Sequence, residues 1–131
     1  MRLSMICLAL AAMPVAANAF IAENRHHVNP LPGGAFEVIG EPGSGGAAYW
    51  CAAGDYATRV LGAGGTQRIY ISRGRGRPET SNRRSAVQFS MTPPAGADTS
   101  RSLTLQVDRA GDNLGVAFAR RYCDDFRMLD F

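Results

Sequence analysis

The chain has 131 residues and a formal charge of +3, with 14 basic and 11 acidic side chains. Hydrophobic residues make up 46% and charged residues 19%, the balance of one small folded domain rather than a disordered or fibrous chain. The net charge is too small to define a class of partner, and no apolar run after residue 19 approaches the roughly 20 residues of a membrane helix.

Residues 1–19 read as a secretory signal peptide. Arg2 supplies a positive start, Leu3 to Ala12 is almost wholly apolar, and Ala17-Asn18-Ala19 has the small residues of a cleavage site. Cleavage after Ala19 is expected, giving a soluble chain that starts at Phe20 and has no transmembrane segment. The expected location is periplasmic or secreted, an oxidising compartment in which cysteines pair.

Residues 20–35 show no apolar period and are read as an irregular lead-in. Phe36-Glu37-Val38-Ile39 alternates briefly, as a short strand does. Glu41-Pro42-Gly43-Ser44-Gly45-Gly46 is a loop. Ala47 to Leu61 is alanine-rich, lacks proline, and repeats Trp50, Ala53, Ala57 and Val60 at helical spacing. Gly62, Gly64 and Gly65 stop that helix. Gly54 inside it costs about 1 kcal/mol relative to alanine. Asp55 and Arg59 are four apart and are expected to pair on its wet side.

From Arg68 the period becomes two. Strands are expected at 68–73, 84–91, 102–107 and 116–122, with polar turns between them. Their inward sets are Ile69 and Ile71; Val87, Phe89 and Met91; Leu103, Leu105 and Val107; and Val116, Phe118 and Tyr122. The order β-α-β-β-β-β predicts an α+β domain at 36–124, followed by a tail at 125–131. It is an antiparallel sheet of four or five strands with one helix on one face.

Cys7 leaves with the signal, so Cys51 and Cys123 are expected to form one disulfide. A crosslink closing so long a loop stabilises by roughly 4 kcal/mol in the chain-entropy view. Cys123 falls beside Ala117 and Ala119, on a small-residue face that lets the helix approach the sheet.

The sharpest candidate site is arginine-rich. Arg73, Arg75, Arg77, Arg83 and Arg84 lie close together with Glu79 as the only acid among them, and the protein contains no lysine. Arginine gives planar, bidentate contacts to carboxylate and phosphate. RNA is not expected as a partner outside the cell. An anionic envelope component fits better, such as a lipopolysaccharide phosphate, an acidic glycan or an acidic protein face. The plain alternative is a solvated hairpin tip that protects a strand edge.

Other candidates are weaker. His26 and His27 point opposite ways on an extended segment and are expected to be exposed tail residues, with no metal or cofactor bound. Gly43-Ser44-Gly45-Gly46 ahead of a helix resembles a phosphate-binding loop but lacks its lysine, and a flexible linker is the simpler assignment. Asp124, Asp125 and Asp130 have no calcium-loop spacing. Tyr49, Tyr56 and Tyr70 are candidates for lining a small-molecule cleft between helix and sheet. A hydrolase would have to draw its base from His26 or His27, and no catalytic signature is present.

Tyr49-Trp50-Cys51, Arg73-Gly74-Arg75-Gly76, Arg83-Arg84-Ser85-Ala86-Val87-Gln88-Phe89 and Arg121-Tyr122-Cys123 together resemble a group of short, signal-bearing bacterial proteins of unknown function. That resemblance implies an exported domain with one disulfide and assigns no activity. The expected function is a non-enzymatic binding module, with ligand, partner and oligomeric state open.

Overall fold

A computed structural model of the chain describes residues 20–102 and 104–127. The expected leader, Cys7, Leu103 and Asp130 lie outside these residues.

The centre of the sheet forms where the apolar alternation is strongest. Strands β1 (Phe20–Ile21), β2 (His27–Pro30) and β3 (Phe36–Ile39) precede helix α1 (Gly46–Arg59). Strands β4 (Arg68–Gly76), β5 (Ala86–Ser90) and β6 (Asn113–Gly115) follow, then helices α2 (Val116–Arg121) and α3 (Asp124–Arg127). The six strands form one antiparallel sheet in the order β1-β2-β3-β5-β4-β6. The domain is α+β and joins Cys51 to Cys123 across a sequence separation of 72.

Phe36 pairs with Phe89 and Val38 with Val87, so these four side chains share one face. That face meets Trp50, Ala53, Tyr56 and Ala57 of α1, with Ile69 and Ile71 of β4, in one buried cluster. Trp50 meets Phe89 edge-on at 5.1 Å, and Phe36 lies 4.6 Å from the Tyr56 ring. Each large apolar side chain buried here contributes roughly 1.5–3 kcal/mol.

Helix α1 is buried continuously from Ala48 to Tyr56 and on to Ala57. The sheet covers one side and α2 covers another, so no single apolar stripe describes it. Val60, placed on the core stripe by spacing, is 49% exposed, and Leu61 after it is 41% exposed. Asp55 is 1% exposed, not on a wet side as expected. Gly54 has a packing reason. A Cβ there would come within 2.9 Å of the Arg120 backbone nitrogen and 3.0 Å of the Ala119 Cβ, so glycine lets α2 cross close to α1.

Three expectations for the chain are corrected. The lead-in at 20–35 carries β1 and β2, because Val28 pairs with Val38 and is fully buried while its polar neighbours face outward. The expected strand at 116–122 is helical. Val116, Ala119 and Cys123 are its buried positions, spaced three and four apart, while Phe118 is 49% exposed. The disulfide therefore ties α1 to the end of α2, not a helix to a strand. The expected strand at 102–107 is irregular over its described residues. Leu105 is 37% exposed, Val107 is buried, and the Val107 carbonyl accepts from the Arg75 N–H at 2.8 Å. A short strand forms instead at β6, inside the stretch assigned to a turn.

Candidate functional site

The opposite face of the sheet carries Glu37, Ile39, Ala86 and Gln88 by the two-residue alternation. Glu37 is fully buried although it is charged. Its carboxylate accepts the N–H of Glu79 at 3.1 and 3.0 Å, the N–H of Thr80 at 3.0 Å, the Thr80 hydroxyl at 2.7 Å and the Gln88 side-chain amide at 2.8 Å. Arg73 Nη2 lies 3.7 Å away. Burial pushes the Glu37 carboxyl up, but the Glu79, Gln88 and Thr80 hydrogen bonds outweigh it and hold it below the usual range. The segment after β4 is thus folded back over the sheet on a buried anion rather than extended as a hairpin tip.

That anchor divides the five candidate arginines. Arg73 serves the loop itself. Its Nη2 donates to the Arg77 carbonyl at 2.6 Å and its Nη1 to Glu79 Oε1 at 3.3 Å. Arg75 lies with its guanidinium 5.2 Å from the Tyr49 ring centroid and donates to the Ser44 carbonyl at 3.3 Å. Arg83 pairs with Glu41 at 3.1 Å. The side chains of Arg77 and Arg84 are exposed and have no ion pair among the described residues.

Arg75, Arg83 and Arg84 line a cavity of about 500 Å³ at the end of the sheet where β3 leaves and β5 enters. The Gly40–Ser44 turn and Ser85 complete its wall. A neighbouring depression is lined by Arg77, Arg83 and Arg84. Gly40 is required at the cavity floor because a Cβ there would collide with the Tyr49 hydroxyl and Ser85 Oγ. Those two oxygens are 2.9 Å apart.

The turn at 41–44 is ordered, not a flexible linker. Ser44 N–H donates to the Glu41 carbonyl at 3.0 Å, and Glu41 N–H donates back to Ser44 Oγ at 3.0 Å. Ser44 Oγ also lies 2.7 Å from His26 Nε2. His26 is 5% exposed, which corrects its assignment to an exposed tail; His27 is half-buried. Helix α1 begins two residues after Ser44, at Gly46. The positive end of its dipole adds to the field of the arginines.

The three tyrosines are not brought together. Tyr49 and Tyr56 are buried in the core. Tyr70 alternates with the buried Ile69 and Ile71, on the sheet face away from α1. What chain order concealed is the link of Ser44 and His26, which come from two segments 18 residues apart. Val28, between His27 and Asn29, lies opposite Val38 in the sheet, but one alternation is too short to mark the lead-in as part of the fold in the sequence.

Comparison with protein-family models, with curated proteins and with solved structures finds no match to this chain.

Proposed function

We propose that this protein is an exported binding module of the bacterial envelope that takes an anionic group, phosphate or carboxylate, into the cavity beside Ser44. The observation that carries this is the concentration of Arg75, Arg83 and Arg84 around one concave site of about 500 Å³ in which Glu41 is the only acidic wall residue. Arg83 is partly neutralised by Glu41, whereas Arg84 has no ion pair among the described residues and is free to receive a ligand. Arg75 is pre-positioned by the Tyr49 ring and the Ser44 carbonyl, which lowers the entropy cost of engaging an anion. The disulfide is compatible with an oxidising compartment.

The test is retention on immobilised heparin as salt is raised. Wild type is expected to elute at higher salt than a variant carrying Arg75→Ala and Arg84→Ala, with the gap closing as salt screens the contact. Equal elution of the two proteins would overturn the proposal. Repeating the comparison with lipid A vesicles distinguishes a lipid phosphate from a sulfated glycan.

A further inference from the structure

We propose that Ser44 is a nucleophile and His26 its general base, placed to hydrolyse a carboxylic ester whose acidic group occupies the arginine cavity. The choice of an anionic substrate rests on the anion-binding proposal above; the nucleophile does not. An acyl-transfer activity also goes beyond a module that only binds.

The geometry has the parts such chemistry needs. Ser44 Oγ and His26 Nε2 are 2.7 Å apart, within reach for direct proton transfer. The other ring nitrogen, Nδ1, lies 3.2 Å from the Asn24 carbonyl. A carbonyl only accepts, so Nδ1 carries the hydrogen and Nε2 turns its lone pair toward Ser44. The base is in turn held in place, because Asn24 Nδ2 donates to the Ala48 carbonyl of α1 at 2.8 Å. Burial lowers the His26 pKa against the opposing effects of the Asn24 carbonyl and Glu41, with a small lowering from His27. The ring is therefore neutral near neutral pH, as a base must be. The Ser44 hydroxyl and the Tyr49 ring, 6.3 Å away, also face it.

Ser44 is one of the residues that line the cavity. Gly45 and Gly46 follow it at the start of α1, where N–H groups lack helical acceptors and suit a developing oxyanion. Arg75 lies against the Ser44 carbonyl and adds positive charge beside the same point.

The chemistry balances without a cofactor. Ser44 Oγ attacks the ester carbonyl carbon while its proton passes to His26 Nε2. The tetrahedral oxyanion collapses, the carbonyl–alkoxy bond breaks, and His26 returns the proton to the leaving alcohol. Water then attacks the acyl-serine; His26 takes its proton and gives it back to Ser44 Oγ, releasing the acid.

The experiment has two arms on the purified protein. The first uses diisopropyl fluorophosphate, an uncharged probe, with the adduct located by peptide mass spectrometry. Labelling is expected at Ser44 alone, slowed about 100-fold or more by His26→Gln. The wild-type labelling rate should rise with pH as His26 loses its proton, with a midpoint below the ordinary histidine value and a plateau above it, a profile that requires no variant. No adduct at Ser44, or a rate that climbs steadily through neutral pH, would overturn the nucleophile. The second arm compares p-nitrophenyl hemisuccinate with p-nitrophenyl butyrate. Arg84→Ala is expected to raise KM for the anionic ester about tenfold, well beyond any change for the neutral one. Labelling of Ser44 with equal effects on both esters would overturn the anionic class while leaving the nucleophile standing.

Discussion

Two buried carboxylates, Asp55 and Glu37, lie on opposite sides of the sheet and are satisfied in different ways. On the helical face, Asp55 is held by the Arg59 guanidinium at 2.7 and 2.5 Å, by the Glu23 N–H at 2.9 Å and by Arg120 at 3.8 Å. On the loop face, Glu37 is held mainly by backbone N–H groups, a hydroxyl and an amide, with Arg73 farther off. The elements around Asp55 already have apolar reasons to associate: Trp50, Tyr56, Val116 and Ala119 are all buried there. The segment over Glu37 has almost none, because only Pro78 is buried between Arg77 and Arg84. The first carboxylate fastens parts that pack anyway, while the second organises a polar segment that would otherwise be mobile and with it one wall of the arginine cavity.

The largest expected effect tests the helical side. Replacing Cys51 and Cys123 by serine should lower stability by roughly 4 kcal/mol. Because the bridge joins α1 to the end of α2, the loss should appear in global unfolding by denaturant, with native-state exchange of the amides at 79–85 little changed. A local opening of that loop in the native variant would break the separation of the two faces.

Glu37→Ala comes next. It leaves several buried donors without their acceptor and should cost about 3 kcal/mol. Unlike the cysteine variant, it should expose the arginine loop to trypsin at Arg83 and Arg84 before global unfolding. Asp55→Asn should cost less and leave the loop protected. If Asp55→Asn opens the loop and Glu37→Ala does not, the comparison is reversed.

Acid sharpens the contrast further. Burial pushes both carboxyls up, but hydrogen bonds from Glu79, Gln88 and Thr80 for Glu37, and from Arg59 and Glu23 for Asp55, bring both below their ordinary values. The unfolded chain therefore binds these protons more readily than the folded one. The stability they add is complete above the ordinary carboxylate range and is lost as pH falls through that range to the lower folded values. Urea midpoints measured from about pH 6 down to pH 3 should fall in wild type and fall less steeply in Glu37→Gln.

The same contrast explains what could be read from sequence. The apolar periods of Phe36–Ile39, Ala47–Leu61 and 84–91 marked the core strands and the main helix, and two cysteines in a chain with a leader pattern marked the bridge. Residues 116–122 were misassigned because Val116, Phe118 and Tyr122 fit a two-residue period, while Val116, Ala119 and Cys123 fit the helical one that packing selects. The site was legible as composition, not as arrangement. The arginines were visible, but their division into Arg73 for the loop and Arg75, Arg83 and Arg84 for the cavity depends on Glu37, an apparent outward position in a four-residue strand. Ser44 and His26 lay in segments without any period, and their meeting depends on how β2 joins the sheet.

The smallest expected change in stability carries the most functional weight. Arg84→Ala removes an exposed side chain and should alter stability by no more than about 0.5 kcal/mol. The most direct test of the cavity is an amide-resolved NMR titration with inorganic phosphate, comparing wild type with this variant. Saturable shifts confined to Ser44–Ala47 and Arg83–Ser85 in wild type, weakened in Arg84→Ala, are the predicted result. Shifts spread evenly over remote arginines such as Arg25, Arg101 and Arg121, and equal in the two proteins, would contradict it.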